Sequence, residues 1–355
     1  MKTVFLEAHH IKNLYFGFGQ FNFHLLKNIE KIPEKDVQLV LHAQNIVFLK
    51  KEFGSSFGYK KYYSLRRYPM FRIRRKYDLW HSMNQNTQIE PYHQIPYLLT
   101  VHNISHIKDP THYRQLPNHV KFQEKLNRSH AITYISNFAK QSTHQFFDVP
   151  NVPEYVIYNG NPISEIEIPD NYSPLFEIKK PFLFTIGEIT ERKNFKSLVA
   201  MLPFLPDFNL VIAGKNSTAE AASLQALISK LGLGNRILVP GKISETDKMY
   251  LYQNCEAFVF PSLREGFGLP VIEAMRFGKP VFISNNTSLP EIGGDIANYW
   301  DHYDPEYMAN SITEGLHKFA ANQVENAAKL MERAGTFSWD AAAIEYYKVY
   351  QSLLK

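Results

Sequence analysis

The chain has 355 residues, 45% of them hydrophobic, a net charge of +5 and a single cysteine, Cys255. One core rarely grows beyond about 300 residues, so this length predicts two, and one cysteine excludes both a disulfide framework and a clustered cysteine metal site. No run reaches the roughly 18 apolar residues of a membrane-spanning helix, and low-complexity tracts are absent.

The start, "MKTVFLEAHHIKN", reads as a buried strand over Thr3 to Ala8 and not as a signal peptide, which predicts a cytoplasmic protein. The glycine loop "FGFGQF" follows, and a helix is expected from near Phe21. Further apolar runs are "VQLVLHA", "YDLWHSM", "IPYLLTVHN", "HAITYIS" and "EYVIYNG". Most end in His, Ser or Asn before a polar or helical stretch. That is the rhythm of strands feeding helices in a parallel sheet.

Charge is unevenly spread. Residues 1–160 hold 21 Lys and Arg against 11 Asp and Glu, a surplus of 10, so the remainder carries −5. The densest stretch, "YKKYYSLRRYPMFRIRRKY" at 59–77, has eight Lys or Arg and no acid. Basic residues mixed with Tyr, Phe and Met suit an anionic membrane surface; a solvated loop or helix face fits equally well. Nucleic acid ranks below lipid, because no helix-turn-helix or zinc-finger spacing accompanies the stretch.

The segment "NPISEIEIPDNYSPLFEIKK", residues 161–180, lacks periodicity and reads as a linker. The alternation then restarts: strand "PFLFTIGEI", helix "NFKSLVAMLPFL", strand "FNLVIAGK", helix "TAEAASLQALISKLGL", strand "NRILVPG". Helix "SETDKMYLYQNC" starts at a good cap, then come strand "EAFVFPS", helix "GLPVIEAMRFG" and strand "KPVFISN". Neither half has the exact-spacing dinucleotide glycine fingerprint. The tail "FSWDAAAIEYYKVYQSLL" is helical, with Trp339, Ile344, Tyr347 and Leu353 among its apolar positions.

Chemistry concentrates in "FPSLREGFGLPVIEA", residues 260–274. "EAFVF" should end at the carboxyl edge of a parallel sheet, where open sheets bind ligands. Glu265 lies in the following loop. Gly266 and Gly268 leave backbone amides uncovered, Pro270 fits a first helical turn, and Glu273 sits about one turn into the helix. Carboxylates receive hydroxyl hydrogen bonds well, so the pair suits a hexose and a ribose. A carboxylate favoured by the helix dipole is the bland reading for Glu273.

"REGFGLPVIEAM" resembles the glutamate–seven residues–glutamate motif of glycosyltransferase family 4, retaining enzymes of GT-B architecture. The resemblance covers nearly the whole chain. It implies an α/β protein of two Rossmann-like domains facing each other across a cleft. An acceptor-side domain would span 1–165 and a nucleotide-sugar-binding domain 166–335, with a last helix, 336–355, crossing back to the first domain. By the same resemblance Glu265 holds the donor sugar hydroxyls and Glu273 the nucleotide ribose. The backbone of Gly266, Phe267, Gly268 and Leu269 lies along the sugar and diphosphate. "FTIGEITERKNFKSL" resembles the other donor segment, with Gly187 at a strand end and Arg192 and Lys193 near the diphosphate. Fixed cations there would favour the departing nucleoside diphosphate. "NLYFGFGQF" resembles the first-domain glycine loop, at Gly17 and Gly19, although the family has adjacent glycines. In "LLTVHNISH", His102 falls on a histidine that touches the donor sugar, and Asn103 replaces the usual aspartate. His9, His10 and His106 are rivals, better read as structural or acceptor-related. Ser136, Phe138, Asn159, Gly160 and Trp339 fall on further family positions read mainly as structural.

The implied reaction moves a hexosyl group from a nucleotide sugar, GDP-mannose slightly favoured, to a saccharide or lipid-linked saccharide acceptor in lipopolysaccharide, O-antigen or other cell-surface glycan synthesis. UDP-glucose or UDP-N-acetylglucosamine donors, an epimerase or phosphorylase of the same architecture, and a non-catalytic nucleotide-sugar-binding protein are the alternatives. No Asp-x-Asp pair sits at a suitable strand end, so the donor is expected to need no metal and no cofactor. The basic stretch would place the enzyme at the inner face of the plasma membrane.

Overall fold

The computed structural model describes residues 1–33, 35–104, 116–163 and 165–355. His106 lies outside the described residues. The chain forms two compact units, Met1–Pro162 with Ser338–Lys355, and Ile163–Phe337.

The first unit is built on β1 (Lys2–Glu7), β2 (Val37–Ala43), β3 (Gly58–Lys61), β4 (Leu79–Ser82), β5 (Tyr97–Val101), β6 (Ala131–Tyr134) and β7 (Glu154–Val156). They lie in the order β3-β2-β1-β4-β5-β6-β7, every neighbour parallel. The order reverses between β1 and β4, which makes their carboxyl ends a topological switch point. β3 was not expected. It is a half-exposed edge strand of Gly, Tyr and Lys, without the apolar run that betrays a central strand.

The first helix, Gly17–Glu30, starts at Gly17, four residues before Phe21. A helix's first amides need no partner within it, so the glycine loop itself supplies the first turn. Gly19 is fixed by packing: a Cβ there would fall 2.0 Å from the Asn13 carbonyl oxygen. Of the two loop glycines, it is Gly17 that opens onto free space.

Helix Trp339–Leu353 packs on this first helix within the unit. The Ser338 hydroxyl caps it by accepting from the Ala341 amide at 3.2 Å. Its buried face is Trp339, Ala342, Ala343, Tyr346, Tyr347, Val349 and Tyr350. Ile344, read as an apolar position of that helix, is 47% exposed; Tyr346 and Tyr350 fill the core instead. A Cβ at Gly160 would lie 2.1 Å from the Trp339 amide, so the segment after β7 and this helix meet backbone to backbone. Buried His81 joins Tyr350 Oη at 2.9 Å to Thr100 Oγ1 at 2.8 Å.

The second unit has β8 (Phe182–Ile186), β9 (Asn209–Ala213), β10 (Ile237–Gly241), β11 (Ala257–Phe260), β12 (Val281–Ser284) and β13 (Asn298–Trp300). The order is β10-β9-β8-β11-β12-β13, again parallel throughout. Successive residues alternate between two cores. Leu183, Leu210, Ile212, Ala257 and Val259 face one; Phe182, Phe184, Val211, Ala213, Phe258 and Phe260 face the other. Helices cover both faces, which explains why these strands read as continuous apolar runs. The reversal falls between β8 and β11.

The stretch 161–180 is not a free linker. Ile163 is buried in the second unit's core, and Phe176 and Ile178 pack against it. Burying these three apolar side chains outweighs the freedom of an irregular segment. Among the described residues no helix is long and apolar enough to cross a membrane.

Candidate active site

The second unit gathers its charges at its switch point. After β8 comes Gly187, where a Cβ would press on Lys193 Cε at 3.2 Å. Gly214, after β9, has φ +126°, and a Cβ there would fall 2.0 Å from the Gly187 carbonyl oxygen. Two strand ends therefore approach as closely as backbones can. A short 3-10 turn, Glu191–Lys193, presents Arg192 and Lys193, and left-handed Asn194 (φ +54°) ends it.

The loop after the neighbouring strand, β11, brings Glu265 to the same place. Glu265 Oε1 accepts from Lys193 Nζ at 2.7 Å, Arg192 Nη1 at 2.7 Å and Ser262 Oγ at 2.6 Å. The loops are also tied by backbone: the Leu263 amide donates to the Arg192 carbonyl at 2.8 Å. Lys193 is buried, its Nζ 4.4 Å from the centre of the Phe260 ring. Burial alone would raise the Glu265 carboxyl; Lys193 and Arg192 outweigh it and hold the group below the usual carboxylate range. Burial also depresses the Lys193 ammonium, partly offset by Glu265.

One carboxylate thus faces two cations. Nearby Glu188 is engaged by Lys215 at 2.6 Å. The cluster keeps a surplus positive charge, and the half-exposed Arg192 guanidinium carries it outward. Such a site is suited to an anion with several oxygens.

The glycine loop is braced from the loop after β12. The Glu265 amide donates to Thr287 Oγ1 at 2.9 Å. Ser288 Oγ donates to the carbonyls of Glu265 and Phe267, at 3.1 and 2.9 Å. Thr287 does this from a left-handed backbone, φ +57°, which a β-branched residue rarely adopts. Gly268, at φ +112°, turns the chain into helix Leu269–Arg276, with Pro270 in its first turn. The Phe267 ring is buried edge-on to Phe337 at 5.6 Å, so only its backbone is left for a ligand.

Glu273 is apart from this triad and 6% exposed. Its Oε2 accepts from Tyr252 Oη at 2.8 Å, and Lys248 Nζ stands 3.5 Å from Oε1. The sequence reading missed Ser262, Thr287, Ser288, Tyr252 and Lys248. The "SETD" cap, a capping box in the structure, was the one available hint of the helix carrying Lys248 and Tyr252.

In the first unit, His102 follows β5. Its Nε2 lies 2.9 Å from the Met83 carbonyl, which can only accept, so Nε2 carries the proton and Nδ1 is an acceptor. The His102 amide donates to Gln85 Oε1 at 3.0 Å, and Phe18 and Phe21 stand edge-on to the ring. Burial pushes the imidazole down to about 3. It is a neutral hydrogen-bonding group, not an acid. Glu7, at the end of β1, is fully buried. His9 Nδ1 lies 2.7 Å from its Oε1, and His42 Nδ1 3.4 Å away. Burial would raise the Glu7 carboxyl, but His42 and His9 bring it down to about 2. Arg66 donates to His42 Nε2 at 3.0 Å, which fixes the His42 proton on Nδ1, toward Glu7.

Two doubly wound units with parallel sheets are the GT-B architecture, and the second carries the cation–carboxylate cluster at its switch point. Residues 172–335, nearly all of the second unit, match the family described as Glycosyl transferases group 1. That unit is similar to the group 1 glycosyl transferases, and the chain is a nucleotide-sugar-dependent hexosyltransferase. It is 25% identical to the O-antigen chain mannosyltransferase B of Escherichia coli, over 99% of this chain and 100% of that one. The chain is 26% identical over 73% of its length to an Escherichia coli serotype-specific mannosyltransferase WbdA, of which it spans only 34%. It is also 26% identical, over 48% of this chain and 45% of that one, to the GDP-mannose:cellobiosyl-diphosphopolyprenol alpha-mannosyltransferase of Komagataeibacter xylinus. Among solved structures, the sucrose-phosphate synthase of Thermosynechococcus elongatus shares the fold at a TM-score of 0.72, with 17% identity and 99% of each chain covered.

Proposed function

We propose that the protein transfers a mannosyl group, with retention of configuration, from GDP-mannose to a saccharide acceptor of a cell-surface glycan such as an O-antigen. The observation that carries this reading is the convergence of Lys193 and Arg192 on Glu265 at the second unit's switch point. The names of the relatives support mannose as the sugar and GDP as its carrier.

The donor diphosphate takes up the surplus positive charge at Arg192 and Lys193. Glu265 turns its remaining lone pairs to the sugar hydroxyls, and the amides of residues 266–269 line the sugar and phosphates. The loosely held oxygen of Glu273 receives a ribose hydroxyl. The acceptor hydroxyl attacks the anomeric carbon on the face from which the diphosphate leaves. A leaving phosphate oxygen takes the acceptor proton, so no protein nucleophile is needed. The charge that develops on the diphosphate meets cations already in place, where preorganised electrostatics act most strongly. The same cations stand where a metal would otherwise act, so transfer needs none. His102 offers Nδ1 to a sugar hydroxyl. The acceptor is lipid-carried, and the enzyme works at the inner face of the plasma membrane.

The test is a thermal-shift panel of GDP, UDP, GDP-mannose, UDP-glucose and UDP-N-acetylglucosamine, followed by NMR of the product's anomeric centre. A ligand that binds only the folded form raises its melting temperature. The expected result is a shift with GDP and GDP-mannose and an α-linked product. A shift confined to the uridine nucleotides overturns the donor assignment, and an inverted linkage overturns the same-face route.

A further inference from the structure

The stretch between β3 and β4 is anchored at both ends and open between them. At one end Arg66 donates to the Lys61 carbonyl at 2.8 Å and to His42. At the other, Ile73 and Tyr77 are buried in the first unit's core beside Phe5 and Trp80. Between these anchors run two tight turns, Ser64–Arg67 and Pro69–Phe71, neither of which buries a residue.

What the turns expose is unusual. Tyr63, Leu65, Tyr68, Met70 and Phe71 stand 50, 56, 47, 73 and 49% exposed, five large apolar or aromatic side chains within nine residues. Scattered exposed apolar residues are ordinary; a cluster this dense marks a contact surface. Around it lie Lys61, Arg67, Arg74, Arg75 and Lys76, all exposed. Among the described residues no carboxylate pairs with any Lys or Arg of 59–77. Five of these cations instead lie over aromatic rings: Lys61 and Arg66 over Tyr63 at 5.7 and 5.1 Å, Arg67 over Tyr68 at 5.0 Å, Arg74 over Tyr92 at 5.7 Å and Arg75 over Tyr77 at 5.3 Å.

We infer that residues 63–76 form a docking surface for an anionic lipid bilayer, with Leu65, Met70 and Phe71 entering the acyl boundary and Arg67, Arg74 and Arg75 meeting lipid phosphates. Apolar side chains at the tip and unneutralised cations behind them match the two layers of such a surface. Tyrosines paired with guanidinium groups sit naturally at the headgroup level. Nucleic acid explains the cations but leaves the exposed Leu65 and Met70 without a role. The inference names the surface by which the proposed lipid-carried acceptor is reached, and its test needs neither donor nor acceptor.

The full chain is sedimented with vesicles of phosphatidylcholine alone and of phosphatidylcholine with phosphatidylglycerol. Wild type is expected to sediment with the anionic vesicles and stay in solution with the neutral ones. Leu65→Ser/Met70→Ser/Phe71→Ser should lose at least about tenfold in partitioning, and Arg67→Gln/Arg74→Gln/Arg75→Gln about tenfold or more on anionic vesicles. The changed side chains are exposed, so both variants should melt with wild type; a GDP-induced thermal shift reports the donor site separately. Wild type failing to sediment, or the apolar variant sedimenting like wild type, overturns the inference. So does tight binding of a short duplex by a protein that ignores vesicles, which would make the patch a nucleic-acid surface.

Discussion

Thr287 holds the backbone of Glu265: its Oγ1 accepts the Glu265 amide at 2.9 Å from a left-handed conformation, φ +57°. Glycine would occupy that conformation without strain, so threonine is present for its hydroxyl. Thr287→Gly relieves the backbone and removes the acceptor; Thr287→Ser keeps the acceptor. The glycine variant should lose roughly tenfold in kcat/KM, equivalent to one hydrogen bond of about 1.4 kcal/mol, while its melting temperature stays close to wild type. Serine should restore the rate. Steady-state kinetics beside thermal melts decide it: activity that merely follows stability would make Thr287 structural only.

Lys193 is expected to act on the departing diphosphate. Lys193→Ala should lower kcat/KM about 100-fold, or about 2.7 kcal/mol. Glu265→Gln should be worse for folding, because it leaves two cations facing a neutral amide; breaking a buried pair costs about 3 kcal/mol. Chemical denaturation of both variants, read beside their rates, separates the two effects. Equal destabilisation would count against the surplus-charge account.

Acid should weaken the fold through buried groups of the first unit. Burial pushes His81 and His102 from an ordinary 6.5 down to about 3. Between those values the unfolded chain binds protons that the folded chain refuses, so stability rises with pH across the window and is lost as pH falls. At about pH 5 each histidine removes about 2 kcal/mol. Glu7, lowered from 4.5 to about 2, adds a further loss below 4.5. Urea unfolding at neutral and mildly acid pH tests this; His81→Gln, which cannot titrate, should flatten the dependence.

Transfer should survive chelation. With Arg192 and Lys193 at the diphosphate, an excess of EDTA is expected to leave the initial rate unchanged, and abolition of activity would require a cation the proposal omits.

The parallel framework was legible because every central strand is buried on both faces and reads as an apolar run. Glu265 stood out as a charge in a glycine-rich, apolar setting, whereas Lys193 was singled out by the family resemblance of its segment. Thr287 and Ser288 did not, since their partners lie in a loop more than twenty residues earlier, brought alongside only because β11 and β12 are neighbours in the sheet. Tyr252 was hidden for a similar reason: its bond to Glu273 joins two helices. β3 escaped because an edge strand can be basic, and the start of the first helix because its glycines lie inside the opening turn.

The surplus positive charge of the Arg192–Lys193–Glu265 cluster should have a cost for turnover. Once the proton taken from the acceptor has been released, the nucleoside diphosphate carries one more negative charge than the donor it came from. A pocket left electropositive therefore grips its leftover more firmly than its fuel. If the proposed donor site holds, emptying the pocket, not making the glycosidic bond, should be the slow event, and added salt should speed the cycle before it begins to weaken donor capture.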